Sequence, residues 1–415
     1  MKLPRRFARA GAPLALVLTA LSLHAWADTH APKPNPLQGD GRVSAFYTWE
    51  TAIPAAPGKL LRSEPLDATL SLAGAASQQR ILYTSTDGID GKTPIVVSGA
   101  LFLPKGAAPA GGWPVVSWGH GTVGVADVCA PSWQGRSIRD VDYLNAWLKE
   151  GYAVVATDYQ GLGVPGGHPL LNSRAAAYGI LDAAKAVVNG SQGLANKVLI
   201  VGQSQGGAGA FAAAGYAPDY SPELGVKGTV ATGVIYKITD SKNRPAKDPN
   251  KVDETLAYGF YTQLAQQQYD PSITPSDYFT EEALPLVEQA RTSCLFALEG
   301  DTVFTARTPA NTQKKPTPEA AAKLKPWVQA IDFPTLKAPQ PIFIGAGQTD
   351  PSTTAASQSA LSKDACAAGS VIEAHIYAGL EHSGTVNASL KDSIPFARKV
   401  LNGEKIKPIC DPTPQ

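Results

Sequence analysis

Val198-Leu199-Ile200-Val201 is an unbroken apolar run that ends in Gly202-Gln203-Ser204-Gln205-Gly206 and passes into a small-residue stretch, residues 206–215. A run so short, bounded by Gly, reads as a strand buried on both faces, at the centre of a parallel sheet. A GxSxG pattern by itself recurs by chance in a chain with 39 Gly. Between a buried strand and a small-residue helix it reads as a nucleophile elbow. The tight strand-to-helix turn exposes the Ser204 side chain, and the flanking glycines avoid clashes. The helix start behind it offers N–H groups and positive partial charge to a developing anion.

The same alternation extends to both sides. Residues 96–103, 114–118, 152–157 and 226–232 read as strands, and 142–149 and 174–188 as helices. After about Gly233 the pattern gives way to a stretch rich in Lys, Gln, Asp and Pro, with helical patches at 252–268 and 281–298. It resumes with strands at 341–344 and 371–377 and helices at 355–368 and 387–401, the last containing Pro395. Strands alternating with helices imply βαβ units, a mostly parallel central sheet and an α/β class. Residues 28–233 and 339–415 are expected to form its two parts, with 234–338 inserted as a helical cap or lid. Residues 28–70 read as an irregular lead-in, and no internal repeat is present.

An apolar fraction of 44% against 17% charged residues excludes disorder as the main state. With 36 Lys+Arg against 35 Asp+Glu there is no electrostatic footprint for nucleic acid. Lys2, Arg5, Arg6 and Arg9 precede a short apolar stretch, and Ala25-Trp26-Ala27 is a small-x-small cleavage site. Residues 1–27 therefore read as a signal peptide, too short and too interrupted by Pro13 to span a bilayer. No later segment suits a transmembrane span, and a secreted or periplasmic protein is expected. Its four Cys (Cys129, Cys294, Cys366 and Cys410) lack metal-ligand spacing, so disulfides are the better reading. Composition leaves their pairing open.

A serine nucleophile needs a base and an acid. In the elbow architecture these follow the serine in the order acid, then His, which removes His120 and His168. Of the two later histidines, His375 lies inside an alternating strand, whereas His382 lies in the loop beyond it, at the sheet edge that carries such sites. Asp350 follows strand 341–344 through a Gly-containing loop and is preferred over Asp240, Asp332 and Asp364 as the carboxylate that orients the imidazole. Gln205, the residue after the nucleophile, supplies one oxyanion N–H. Ser117-Trp118-Gly119-His120-Gly121-Thr122 supplies the other, from Gly121 or Thr122, with His120 bracing the loop. Residues 158–163 lack a complete dinucleotide fingerprint and are expected to wall the site. No metal or organic cofactor motif is present.

Together, Trp118-Gly119-His120-Gly121-Thr122, Thr157-Asp158-Tyr159-Gln160-Gly161-Leu162-Gly163, Gly202-Gln203-Ser204-Gln205-Gly206-Gly207 and the late Asp350 and His382 resemble the secretory lipase family of α/β-hydrolases. GHGT and the Gln on each side of Ser204 fit its bacterial members better than the yeast type. The resemblance implies the α/β-hydrolase fold, an acyl-Ser204 intermediate, no cofactor, and disulfides Cys129–Cys294 and Cys366–Cys410. The expected activity is hydrolysis of a small-molecule or lipid ester, with transient contact at a lipid interface through the cap. Trp118, Trp133 and Tyr159 suggest an apolar acyl group. A serine peptidase or amidase on the same fold is the alternative, since one triad serves both. A non-catalytic binding protein would usually lack a triad member, and none is missing.

Overall fold

The computed structural model describes residues 40–237 and 247–415. The expected signal peptide and Asp240 lie outside the described residues.

Among the described residues, nine strands form one sheet: β1 (Leu60–Pro65), β2 (Ala75–Thr86), β3 (Pro94–Pro104), β4 (Trp113–Gly119), β5 (Ala153–Thr157), β6 (Leu194–Gln203), β7 (Val226–Thr232), β8 (Ile342–Gly347) and β9 (Ile372–Tyr377). Their order is β1-β2-β3-β5-β4-β6-β7-β8-β9. The β1/β2, β2/β3 and β3/β5 pairs are antiparallel, and all pairs from β5 to β9 are parallel. This is the α/β-hydrolase architecture. Chain order reverses around β4, so the crevice between β4 and β6 is the topological switch point where such sheets hold ligands. The central strands are apolar because both faces are covered: Val198, Leu199, Ile200 and Val201 are all fully buried. Helices Ser173–Gly190 and Gln205–Tyr220 cover one face, and Ile138–Lys149 and Leu390–Leu401 the other.

Helix starts follow local chemistry. Asn172 Oδ1 accepts from Ala175 N at 2.8 Å, and Ser137 Oγ accepts from Asp140 N at 3.3 Å. Each satisfies a donor that would otherwise be orphaned, worth about 1 kcal/mol. The lead-in is not wholly irregular: β1 falls within it. Its sequence, Leu-Leu-Arg-Ser-Glu-Pro, makes a half-exposed antiparallel edge strand with no apolar run to betray it. The closing segment forms two helices, His382–Ala388 and Leu390–Leu401, with Pro395 tolerated inside the second.

Between β7 and β8 the described chain is helical, including Leu256–Gln266, Leu284–Gln289 and Leu295–Phe304. These pack around Phe260, Tyr261, Val287 and Leu298, a hydrophobic core separate from those beside the sheet. Each such side chain contributes about 1.5–3 kcal/mol by burial. Cys129, in the loop after β4, is bonded to Cys294 at the start of Leu295–Phe304, and Leu295 N donates to Val123 O at 2.8 Å. Cys366 is bonded to Cys410. Among the described residues, no helix is long and apolar enough to cross a membrane.

Asp182, in helix Ser173–Gly190, is fully buried. Ser85 Oγ and Tyr220 OH donate to its Oδ2 at 2.7 and 2.8 Å, while Oδ1 has no partner among the described residues. Burial pushes its carboxyl up to about 7, against the pull of these hydrogen bonds and Lys185. An acid whose folded pKa is raised stabilises the fold fully below its unfolded pKa, about 4, and that contribution is lost as pH rises through 7. Asp182→Asn is expected to remove this loss. Urea unfolding should then show a decline in stability between pH 5 and 8 smaller than the parent's by about 2–3 kcal/mol. Identical declines would place the titration elsewhere.

Candidate active site

The site is assembled at the carboxyl ends of β4, β6, β8 and β9. β6 ends at Gln203, and Ser204 follows at φ 58°, ψ −117°, before helix Gln205–Tyr220 begins. A non-glycine residue in that conformation is strained, and the turn is held by its surroundings. Ser204 N donates to Thr232 O at 2.9 Å, and Ser204 O accepts from Ala208 N at 2.9 Å. The neighbouring glycines are required by close approach: a Cβ on Gly202 would lie 2.0 Å from Gly206 O, and one on Gly206 would lie 2.0 Å from Gly119 O. The elbow is thereby pressed against the end of β4.

Asp350, beyond β8, has a buried carboxylate. Its Oδ1 accepts from Ser352 N at 2.7 Å and Thr353 N at 2.8 Å, and its Oδ2 accepts from Thr353 Oγ1 at 2.7 Å. His382 Nδ1 also meets Oδ2 at 2.7 Å. Burial alone would raise the Asp350 carboxyl, but the hydrogen bond and charge of His382, with the bonds from Thr353, outweigh it and hold it below its ordinary value. Nδ1 therefore carries the imidazole proton and Nε2 is left as the acceptor. Gln203 Nε2 occupies that position at 3.0 Å, while Gln203 Oε1 takes a bond from Arg139 Nη2 at 3.0 Å. Since guanidinium only donates, this fixes the amide orientation. The back of the imidazole lies against Gly233, where a Cβ would come within 2.8 Å of His382 Cε1.

The loop after β4 runs beside the elbow. A Cβ on Gly121 would lie 3.5 Å from Ser204 Cβ and 2.4 Å from Gln203 Oε1. Among the described residues, the backbone N–H groups of Gly121 and Thr122 have no acceptor. Gln205 N is at the helix start, where no earlier turn supplies an acceptor.

A family model of secretory lipases matches residues 138–405. The chain belongs to the secretory lipase family. Membership makes it a hydrolase of the lipase and esterase type. Two solved structures show the fold it shares. Candida antarctica lipase A in its closed state is 20% identical over 90% of this chain and 89% of that one, with a TM-score of 0.69. The rice cell wall degrading esterase LipA from Xanthomonas oryzae is 20% identical over 84% of this chain and 100% of that one, with a TM-score of 0.65. No curated protein matches it in sequence.

Other candidate residues of this secretory lipase take no part in the hydrogen bonds of Asp350 and His382. His375 stacks on Phe343, and its Nδ1 meets Gln415 Nε2 at 2.7 Å. Asp364 is bound by Lys237 and Tyr236, and the Asp332 carbonyl takes the Ser173 hydroxyl. His120 is buried; its Nδ1 meets Gly121 O at 2.6 Å and its carbonyl accepts from Tyr159 OH at 2.8 Å. The three aromatics read as acyl contacts are in the framework instead. Trp118 packs on Tyr143 beneath helix Ile138–Lys149, Trp133 on Tyr47, and Tyr159 between His120 and His168. Trp118 lies in β4, where successive side chains alternate between the two faces of the sheet, and Trp133 lies in the short helix Pro131–Gln134. Sequence reasoning missed Arg139, Thr353 and the side chains of both glutamines. The only signal was the presence of Gln on each side of Ser204.

Proposed function

We propose that this chain is a secreted serine carboxylic ester hydrolase that works through an acyl-Ser204 intermediate. The observation carrying this reading is the 2.7 Å contact of His382 Nδ1 with the buried Asp350 carboxylate, on a ring whose Nε2 faces the residue preceding a strained Ser204. Ser204 Oγ takes the place of the Gln203 amide on Nε2, gives up its proton there and bonds to the ester carbonyl carbon. The carbonyl π pair moves to oxygen, where the N–H of Gln205 and that of Gly121 or Thr122 receive the charge. As the C–O bond to the alcohol breaks, His382 returns the proton to the leaving oxygen. Water then repeats these steps on the acyl-enzyme. No step calls for a metal or organic cofactor.

Residues 1–27 are read as the export signal, and the helices between β7 and β8 as a cap over the site. A hollow one turn from Ser204 has an apolar wall of Leu171, Ala208, Ile235, Val328 and Ile331, which supports an apolar acyl group, and a charged side formed by Lys237 and Asp332. Exposed Phe296, Val303 and Phe304 on helix Leu295–Phe304 support contact with an aggregated ester. A fluorophosphonate probe is expected to label the protein once, with the adduct on the peptide containing Ser204. A labelled peptide from elsewhere, or no labelling of folded protein, would overturn the assignment. Faster cleavage of aminoacyl-naphthylamides than of p-nitrophenyl butyrate would favour the peptidase alternative.

A further inference from the structure

His168 is a second buried imidazole beside the elbow, and the reaction as derived gives it no task. It lies in the loop between β5 and helix Ser173–Gly190, with its ring stacked on Tyr159 at 6.0 Å. Its Nδ1 meets Gln160 O at 2.8 Å. A carbonyl can only accept, so Nδ1 carries the proton and Nε2 presents a lone pair. That lone pair faces Gln205 Nε2 at 2.9 Å. The amide is thereby turned so that Gln205 Oε1 faces Thr122, whose Oγ1 donates to it at 3.2 Å. Each bond dictates the direction of the next, from the Gln160 carbonyl to the Thr122 hydroxyl.

The two ends of this chain matter because of where they sit. Gln205 is the residue after Ser204, and Thr122 belongs to the loop after β4. These are the two segments whose N–H groups must converge on one oxygen.

We infer that His168 is a positioning residue for ester hydrolysis, holding the two oxyanion-binding segments at fixed spacing through the Gln205 side chain and the Thr122 hydroxyl. The inference rests on Ser204 being the nucleophile and on Gln205 supplying an oxyanion N–H. Protonation at Nε2 would replace the acceptor with a donor facing a donor. Burial guards against this by pushing the imidazole down to about 4, so the relay stays intact at neutral pH. The role is carried entirely by the neutral ring, and no proton moves through it during turnover.

The test uses p-nitrophenyl butyrate and the full chain. His168→Phe keeps a ring against Tyr159 but removes the acceptor. Its kcat is expected to fall about 10- to 100-fold, with KM changed by less than about 3-fold, because only transition-state contacts are displaced. His168→Gln places an amide oxygen near the position of Nε2 and is expected to recover most of that loss. Thr122→Val, cutting the same chain at its other end, should lower kcat by about 10-fold in the parent and by much less in His168→Phe, since a broken relay cannot be broken twice. Equal losses in the two backgrounds, no recovery in His168→Gln, or a lowered Tm with normal kcat per folded molecule would overturn the proposal. If His168→Phe does not fold, Thr122→Val and His168→Gln still decide it: unchanged kcat in Thr122→Val overturns the relay. Fluorophosphonate labelling separates the two assignments. A parent not labelled at Ser204 defeats the nucleophile, whereas a labelled parent with unaffected relay variants defeats the relay alone.

Discussion

Ser204→Ala is expected to lower kcat for p-nitrophenyl butyrate by about 10⁶-fold, leaving only the residual rate that binding and oxyanion contacts supply. Loss of the nucleophile costs about as much as loss of the base or of the whole triad, because the three groups act as a unit. The fold should be unaffected, because Ala keeps the Cβ and therefore the strain at φ 58°. Gly in its place would relax the turn and confound the measurement. A Tm equal to the parent's, with turnover and fluorophosphonate labelling both abolished, is the expected pattern. Turnover above about one-hundredth of the parent's would mean that another group attacks the ester.

Asp350→Asn is expected to cost about 10⁴-fold in kcat at neutral pH, although it changes almost no volume. The backbone explains why. Ser352 N and Thr353 N both donate to Oδ1, so an asparagine must put its amide oxygen there and its NH₂ where Oδ2 was. That NH₂ faces His382 Nδ1, which must then accept. The imidazole proton moves to Nε2, leaving no lone pair for the Ser204 proton. Steady-state kinetics with a Tm control would test this, and a kcat within tenfold of the parent's would show that Asp350 does not set the tautomer.

The sequence made the central sheet and the elbow legible because each is written in local pattern. Val198 to Val201 is apolar since both its faces are covered, and glycine spacing marks the turn that follows. β1 was hidden because an antiparallel edge strand buries little, so Arg62, Ser63 and Glu64 carry no period. The patch at 281–298 has continuous helical spacing, but in the structure Arg291-Thr292-Ser293-Cys294 interrupts it, and the bond to Cys129 lies in that break. Among candidate site residues, Ser204, Asp350 and His382 could be nominated from motif, chain order and strand ends. The partners of Gln203 and Gln205 could not. His382 is 179 residues from Gln203, and His168 is 37 from Gln205; nothing in either neighbourhood signals the other. Chain order, the rule that discarded His168 as a base, is silent on positioning roles.

The bond between Cys129 and Cys294 has a mechanical consequence. It fixes the first turn of helix Leu295–Phe304 to the loop after β4, and the Leu295 N to Val123 O bond tightens the same joint. Cys294 is thus a joint that ties this helix, with its exposed Phe296, Val303 and Phe304, covalently to the segment that carries Gly121 and Thr122. A load placed on those side chains can reach that segment without passing through the sheet.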